Sequence, residues 1–299
     1  MELQLWQSLL AVLMTLDKPV TPVRFAFTDE DIVKVHYWSV LHEKPAAWAC
    51  QMKNWPIWRR RRACGPLPSE ATVSRRLRTP SVRQLLHHLE QRVIAPQQPG
   101  LYWIIDGKPL VIGNCSKDRQ AGYGRAAGGK GKGYKIHAIV DPHDGVAAWR
   151  LAPMNTDERV MAERLLRAAS IQGYLVADSN YDSNKLHQLC DELSATRNPL
   201  HLIVRRRYGP QHGTGHRKQT AGRLHSMLLT ENPYPAFADG LLHDRNKIER
   251  TFGKLTNWSY GLIGLPPWVR THRRVHRWVQ AKLVLTALKR PLTQTTCAA

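Results

Sequence analysis

Acidic side chains are scarce in this 299-residue chain: 23 Asp and Glu stand against 44 Lys and Arg, a formal net charge of +21. A surplus of that size speaks to partners and solubility rather than to fold, and it favours polyanions. Cysteine is sparse too. The five present (Cys50, Cys64, Cys115, Cys190 and Cys297) are odd in number and scattered, with no pair at zinc-knuckle or redox spacing. They read as reduced thiols, which excludes a disulfide framework. Long apolar runs are missing. The N-terminal MELQLWQSLLAVLMTLDKPV lacks the positive flank and small-residue cleavage site of a secretory signal, and its apolar stretch is too short and interrupted to span a membrane. It reads as an amphipathic helix, and the expected location is cytoplasmic, at the nucleoid. No internal repeat is visible, and the length suits two domains.

What is present falls into blocks. Residues 1–98 read as a mainly helical, DNA-binding region, with a change of texture near Pro96 and Gly100. Residues 99–290 form a second region and 291–299 a flexible tail. Ser69 is positioned to cap a helix with an acid close behind. TVSRRL followed by RTPSVRQLLHHLEQRV has the grain of a helix-turn-helix, whose second helix enters the major groove. Ser74, Arg75, Arg76 and Arg78 would be its contacts, and a solvated basic helix face is the competing reading. Of the ten tryptophans, Trp48, Trp55 and Trp58 sit near Arg59 to Arg62. Such aromatics can stack on bases, but core anchors are the better reading for most of them.

From residue 101 the pattern turns to strands. LYWIIDGKPLVIG reads as a strand, a turn and a second strand. GYKIHAIVDPHDGVAAWRLAPMN reads as a hairpin turning at Asp144-Gly145. DERVMAERLLRAA is a helix with Asn155, Thr156 or Asp157 as its cap. GYLVADS is a short buried strand, SNKLHQLCDEL a helix and HLIVRRR a further strand. The basic, glycine-containing stretch after Arg207, up to a helix near Asp244, reads as irregular: a phosphate-facing loop or a solvated one. The sum is an α/β mixed sheet flanked by helices.

Three of the few acids stand out: Asp106 and Asp178, each closing an apolar run, and Glu249 on a basic helix. Each has a bland reading: a turn former before Gly107, a cap before Ser179, a partner for Arg245 one turn earlier. Jointly, in so basic a chain, they suit phosphodiester chemistry. There, two divalent ions roughly 3.5–4 Å apart are held by carboxylates, and magnesium needs only two or three of them because it keeps waters.

Residues 101–290 resemble the catalytic domain of DDE-superfamily transposases of bacterial insertion sequences, the cut-and-paste group with a ribonuclease-H-like core. The resemblance rests on Asp106 in WIIDGKPL, on Gly133, Tyr134, Lys135 and His137, on Asp178, Tyr181, Asp182 and Ser183, and on Arg245 and Glu249 in an I-E-R-x-F-G-x-L run ending at Leu255. Asn180 replaces a usual glycine. Leu242 stands where the signature tyrosine falls, and Thr256 where a lysine is expected, with Lys254 two positions earlier. The resemblance implies Asp106, Asp178 and Glu249 as catalytic and metal-binding residues for two Mg2+ ions, with Mn2+ as the alternative. It implies cleavage at the ends of an element, exposing a 3′-hydroxyl that attacks target DNA. The partners implied are double-stranded DNA and a second copy of the chain, in a homodimer or higher synaptic complex. Arg245 and Lys254 would neutralise phosphate near the site. Lys135 and His137 share one strand face, lining a DNA channel or facing solvent. Arg270, Arg273, Arg274 and Arg277 form a basic stripe on the closing helix, ahead of Val279, Leu283 and Leu285, and suit phosphate contact rather than base reading. A nuclease that does not join, and an inactive DNA-binding descendant, are the alternatives.

Overall fold

The computed structural model describes residues 2–17, 25–56, 65–96, 100–113, 115–126, 128–207, 219–231, 235–245, 247–249, 252–253 and 265–297, with side chains on the final helix followed to Lys289. In chain order the helices are α1 (Glu2–Thr15), α2 (Asp29–Leu41), α3 (Ala46–Ala49), α4 (Glu70–Arg76), α5 (Pro80–Ile94), α6 (Glu158–Ala168), α7 (Asn184–Thr196), α8 (Ala221–Glu231), α9 (Pro235–Asp244) and α10 (His272–Cys297). The strands are β1 (Tyr102–Val111), β2 (Gly122–Ala126), β3 (Gly129–Val140), β4 (Val146–Pro153), β5 (Gly173–Val176) and β6 (Leu200–Ile203). The chain divides into two compact units, residues 1–94 with 255–269 and 273–299, and residues 95–254 with 270–272.

The first unit is helical. In α1, Leu5, Trp6, Leu9 and Leu13 are buried at helical spacing, as an amphipathic helix requires. Trp38 stacks on Trp55 at 4.9 Å between centroids and Trp6 meets both edge-on. The indole N–H groups of Trp38 and Trp55 donate to the Asn54 and Ala49 carbonyls. The core role therefore holds for Trp55, while Trp58 lies outside the described residues. Helix α2 starts with a capping box between Thr28 and Asp31, and Ser69 caps α4 by accepting from the Thr72 N–H. Residues 77–79 join α4 to α5. Helix α10 presents Val275, Val279, Leu283 and Leu285 to the core. It is tied in by Gln280 donating to Glu90 at 2.7 Å and by the buried Lys282 ammonium donating to Glu43 at 2.6 Å.

The second unit is a mixed six-stranded sheet with helices on both faces, preceded in sequence by the helical N-terminal region, as expected. The order is β2-β3-β1-β5-β6, with β4 also on β3. Pairings β1–β3, β2–β3 and β3–β4 are antiparallel; β1–β5 and β5–β6 are parallel. One face buries Trp103, Ile105, Ile139 and Leu175 under Leu165 of α6 and Leu189 of α7. The other buries Val176 and Ile203 under Leu241 of α9, with Leu229 of α8 packed alongside.

Three local expectations are corrected. The stretch LYWIIDGKPLVIG is one strand rather than two: β1 pairs with β3 continuously from Ile104 to Val111. Pro109 is tolerated because β5 pairs with β1 only at Tyr102–Ile104, so no ladder requires the missing N–H on the far edge. The unforeseen strand is glycine-rich β2, which pairs with the glycine-rich start of β3. At Gly133 a Cβ would lie 2.2 Å from the Leu110 carbonyl oxygen, so the glycine signals close backbone approach rather than a loop. Third, the region read as irregular contains helices α8 and α9. Helix α8 is anchored through buried Ser226, which bonds both Val204 N–H and Val204 carbonyl at 3.1 Å. The basic run at 208–218 lies outside the described residues. The β3–β4 turn is as expected, with Asp144 at φ 70° and Asp141 accepting from the His143 and Gly145 N–H groups.

Candidate active site

Strand alternation places Asp106 on the face of Tyr102 and Ile104, covered by α8 and α9. It lies in mid-strand, because β1 runs on to Val111. The parallel register sets Ile104 beside Val176, so Asp178 follows just beyond the end of the neighbouring strand. Asp178 caps a short 3₁₀ turn at Ser179–Tyr181, one carboxylate oxygen accepting from the Asn180 N–H and the other from the Asn180 amide at 3.2 Å. The capping expectation for Asp178 therefore holds, and Asn180 is held against its carboxylate.

Burial pushes the Asp106 carboxyl up from 3.8 to about 6. The Gly107 N–H, which it accepts at 2.7 Å, works against that shift; the charges of Asp178 and Glu158 add to it, and Arg245 opposes it. These couplings bring Asp106, Asp178, Glu158 and Arg245 into one electrostatic neighbourhood. Glu158, at the start of α6, was not anticipated. Its sequence signal is an acid in the first turn of the helix after the hairpin, which looks like an ordinary dipole partner. It forms an ion pair with Lys135 at 2.6 Å, so Lys135 bridges β3 to α6.

Beside Lys135, His137 is 1% exposed, and neither ring nitrogen has a protein partner. Burial and the Lys135 charge lower its pKa to about 4, so it is neutral at ordinary pH. The two residues share a face as expected, but His137 looks onto neither solvent nor an open channel. Gly107 lies opposite it, where a Cβ would come within 2.9 Å of Lys135 Cδ and 3.0 Å of His137 Nδ1. A glycine after the first aspartate is thus demanded by close packing.

Tyr181 sits in the core under α6 and α7. Burial works against the charge of Asp182, yet His187, Arg223 at 2.8 Å and the Arg207 N–H hold it down to about 2. Asp182 therefore fastens the segment after Asp178 to α8.

The segment with the third acid is anchored on β1. The Tyr102 hydroxyl donates to Asp244, and Lys247 donates to that hydroxyl at 3.0 Å and to Asp244 at 2.6 Å. Helix α9 ends at Asp244, Arg245 is in a turn, and residues 247–249 are helical, with Ile248 buried and Glu249 exposed. Among the described residues, no three His, Cys, Asp or Glu side chains lie together in a way that could hold a metal ion. The structure brings Asp106 and Asp178 together and does not bring Glu249 to them. The pair offers two carboxylate donors, one half-buried with its pKa raised by burial, and oxygen donors of this kind suit a hard divalent cation.

The remaining basic residues divide. Arg75 and Arg78 are exposed. Arg76 is 2% exposed, paired with Asp29, donating to the Phe27 carbonyl at 2.9 Å and lying over the Phe25 ring at 3.9 Å. Its guanidinium holds α4 to α2. Arg270 donates to the Ile112 carbonyl at 3.2 Å. Arg273 and Arg274 are exposed, and Arg277 donates to the Leu77 carbonyl at 3.2 Å. Lys254 lies outside the described residues. No helix among the described residues is long and apolar enough to cross a membrane.

Residues 100–287 match the family model described as the transposase DDE domain. No curated protein matches the chain. Among solved structures, it is similar to the piggyBac transposase seen by cryo-EM in a synaptic complex with hairpin DNA, at 12% identity and a TM-score of 0.34. That similarity covers 73% of this chain and 52% of the other, so the chain spans about half the length of that transposase.

Proposed function

Since the chain belongs to the transposase DDE domain family, we propose that it is a cut-and-paste insertion-sequence transposase of bacterial type. It would act at the nucleoid on double-stranded DNA, as a homodimer or larger assembly, cleaving at terminal inverted repeats and joining the ends to target DNA. One observation supports this most: Asp106 on β1 and Asp178, just beyond the end of the neighbouring parallel β5, share one electrostatic neighbourhood in which burial raises the Asp106 pKa. Asp106, Asp178 and, on closer approach, Glu249 would hold Mg2+ or Mn2+. Bound there, such ions supply activation of water and neutralisation of charge at the reacting phosphate. Arg245, whose charge already acts on Asp106, would meet a phosphate entering beside that carboxylate. Tyr102, Asp244 and Lys247 hold the chain on either side of Arg245 against β1. Lys135 is engaged with Glu158, which fits it for holding α6 in place more than for touching DNA.

The test is magnesium-dependent nicking and joining of a labelled duplex carrying the flanking terminal repeat, wild type against Asp178→Asn. Nicking at the element's end with transfer into target, lost in the variant, supports the reading. Hydrolysis without joining selects the nuclease reading, and end binding with neither reaction selects an inactive descendant.

A further inference from the structure

The arginines read separately in the helix-turn-helix stretch and in the closing helix belong to one surface of the first unit. Arg78 follows α4, and Arg83 lies one turn into α5. Arg273, Arg274 and Arg277 recur at three-to-four spacing at the start of α10. The Arg277 guanidinium donates to the Leu77 carbonyl at 3.2 Å, which fastens α10 to the turn carrying Arg78. Arg78, Arg83, Arg273 and Arg274 are exposed. Among the described residues none of the five is paired with a carboxylate, although Lys135, Arg76, Arg206 and Arg223 elsewhere all are. The crowding is electrostatically real: burial, then the charges of Arg78, Arg274, Arg273 and Arg83, lower the pKa of Arg277 to about 10. A folded chain tolerates such uncompensated like charge where an anion answers it.

We propose that Arg78, Arg83, Arg273 and Arg274, organised around Arg277, form a composite clamp for the phosphate backbone of duplex DNA, built jointly by the α4–α5 turn and α10. Planar guanidinium forks suit phosphate oxygens. Directed at phosphate oxygens rather than base edges, the group makes a sequence-independent contribution. The α4–α5 pair is then a DNA-binding element only together with α10, and Arg76, buried against Asp29, is not part of the clamp.

This inference rests on the chain acting on DNA, but its test needs no turnover. Binding of the full-length protein to a random 30-base-pair duplex is measured by fluorescence anisotropy in EDTA across a salt series. Two matched double variants are compared, Arg273→Gln with Arg274→Gln in the clamp, and Arg167→Gln with Lys185→Gln on the exposed surface of the sheet unit. Each phosphate contact contributes about 0.9 to the slope of log K against log salt. The clamp double should lower that slope by about 1.8, Arg83→Gln added to it by about 0.9 more, and the control double should leave it unchanged. Equal losses in both doubles, or none in either, overturn the clamp. Circular dichroism and melting confirm that the exposed substitutions leave the fold intact. A failed cleavage assay with the slope difference present overturns the proposed activity and supports the surface. Equal slopes with cleavage intact overturn the surface alone.

Discussion

Replacing Asp106 by Asn tests the electrostatics of the candidate site without relying on catalysis. Asn keeps an oxygen to accept the Gly107 N–H and removes only the charge. The folded carboxyl titrates at about 6 against 3.8 for an unburdened one. A folded carboxyl with a raised pKa binds more protons than the unfolded chain between those two values, so stability falls as pH rises through that window. The loss is essentially complete about one unit above the folded value of about 6. At 1.36 kcal/mol per unit the ionised side chain costs about 3 kcal/mol at neutral pH. Asp106→Asn should therefore stabilise the protein in EDTA by about 3 kcal/mol at pH 7.5 and by roughly half that at pH 5, measured by urea denaturation. Adding Mg2+ should reverse the order, because binding to the folded state stabilises only a chain that retains the ligand. A variant no more stable than wild type in EDTA at pH 7.5, or a difference that does not shrink toward pH 5, would refute the reasoning.

Glu158→Gln removes one of the negative charges that raise the Asp106 pKa, so the acidic limb of the cleavage pH profile should move to lower pH; an unmoved limb disproves the coupling. Tyr102→Phe takes away the hydroxyl between Asp244 and Lys247; it should cost about 1 kcal/mol of stability but lower kcat tenfold or more, because Arg245 and Glu249 lose their anchor to β1. Arg76→Ala strands Asp29 in the core and should destabilise by about 3–5 kcal/mol, read by denaturant midpoint. Gly133→Ala sets a methyl 2.2 Å from the Leu110 carbonyl oxygen and should cost about 2 kcal/mol or more; Gly65→Ala, with nothing within 4 Å of the new methyl but φ at 70°, should cost only about 1 kcal/mol of backbone strain.

The elements with clean periodicity were legible in advance: the β3–β4 hairpin through its Asp-Gly turn, the helix capped by Asp157, and the buried strand leading to Asp178. The glycine-rich strand β2 was not, because glycine signals a loop by composition and signals close packing only once Leu110 is seen against Gly133. Helices α8 and α9 were hidden by the basic run before them and by the prolines around 233–235. Asp106 and Asp178 stood out in the sequence as acids closing apolar runs, and the parallel pairing of β1 with β5 explains their proximity. Glu158 escaped notice because its importance is tertiary: nothing in DERVMAERLL says that the first turn approaches Asp106. Arg76 misled for the converse reason. It reads as one more arginine in a basic stretch, and only the buried Asp29, far away in sequence, reveals an internal partner.

Glu249 marks where spacing stops being informative. Arg245 and Glu249 are four residues apart and would share a face on an unbroken helix. Arg245 acts on Asp106, so an unbroken helix would turn Glu249 toward the same carboxylate. Among the described residues α9 closes at Asp244, Arg245 is in a turn, and residues 247–249 are helical. Glu249 is exposed, and among the described residues no three acids, His or Cys lie together as a metal site. Buried Ile248 and the Lys247 anchor fix the neighbours of Glu249 while its own side chain is exposed. The two aspartates are in the opposite position, close together with Asp106 half-buried, so that one of them ionises only reluctantly. A third carboxylate brought up to this pair without a cation would raise the cost again. Held outside, Glu249 adds nothing to that cost, and the same attraction that would relieve Asp106 would favour its approach once positive charge is present.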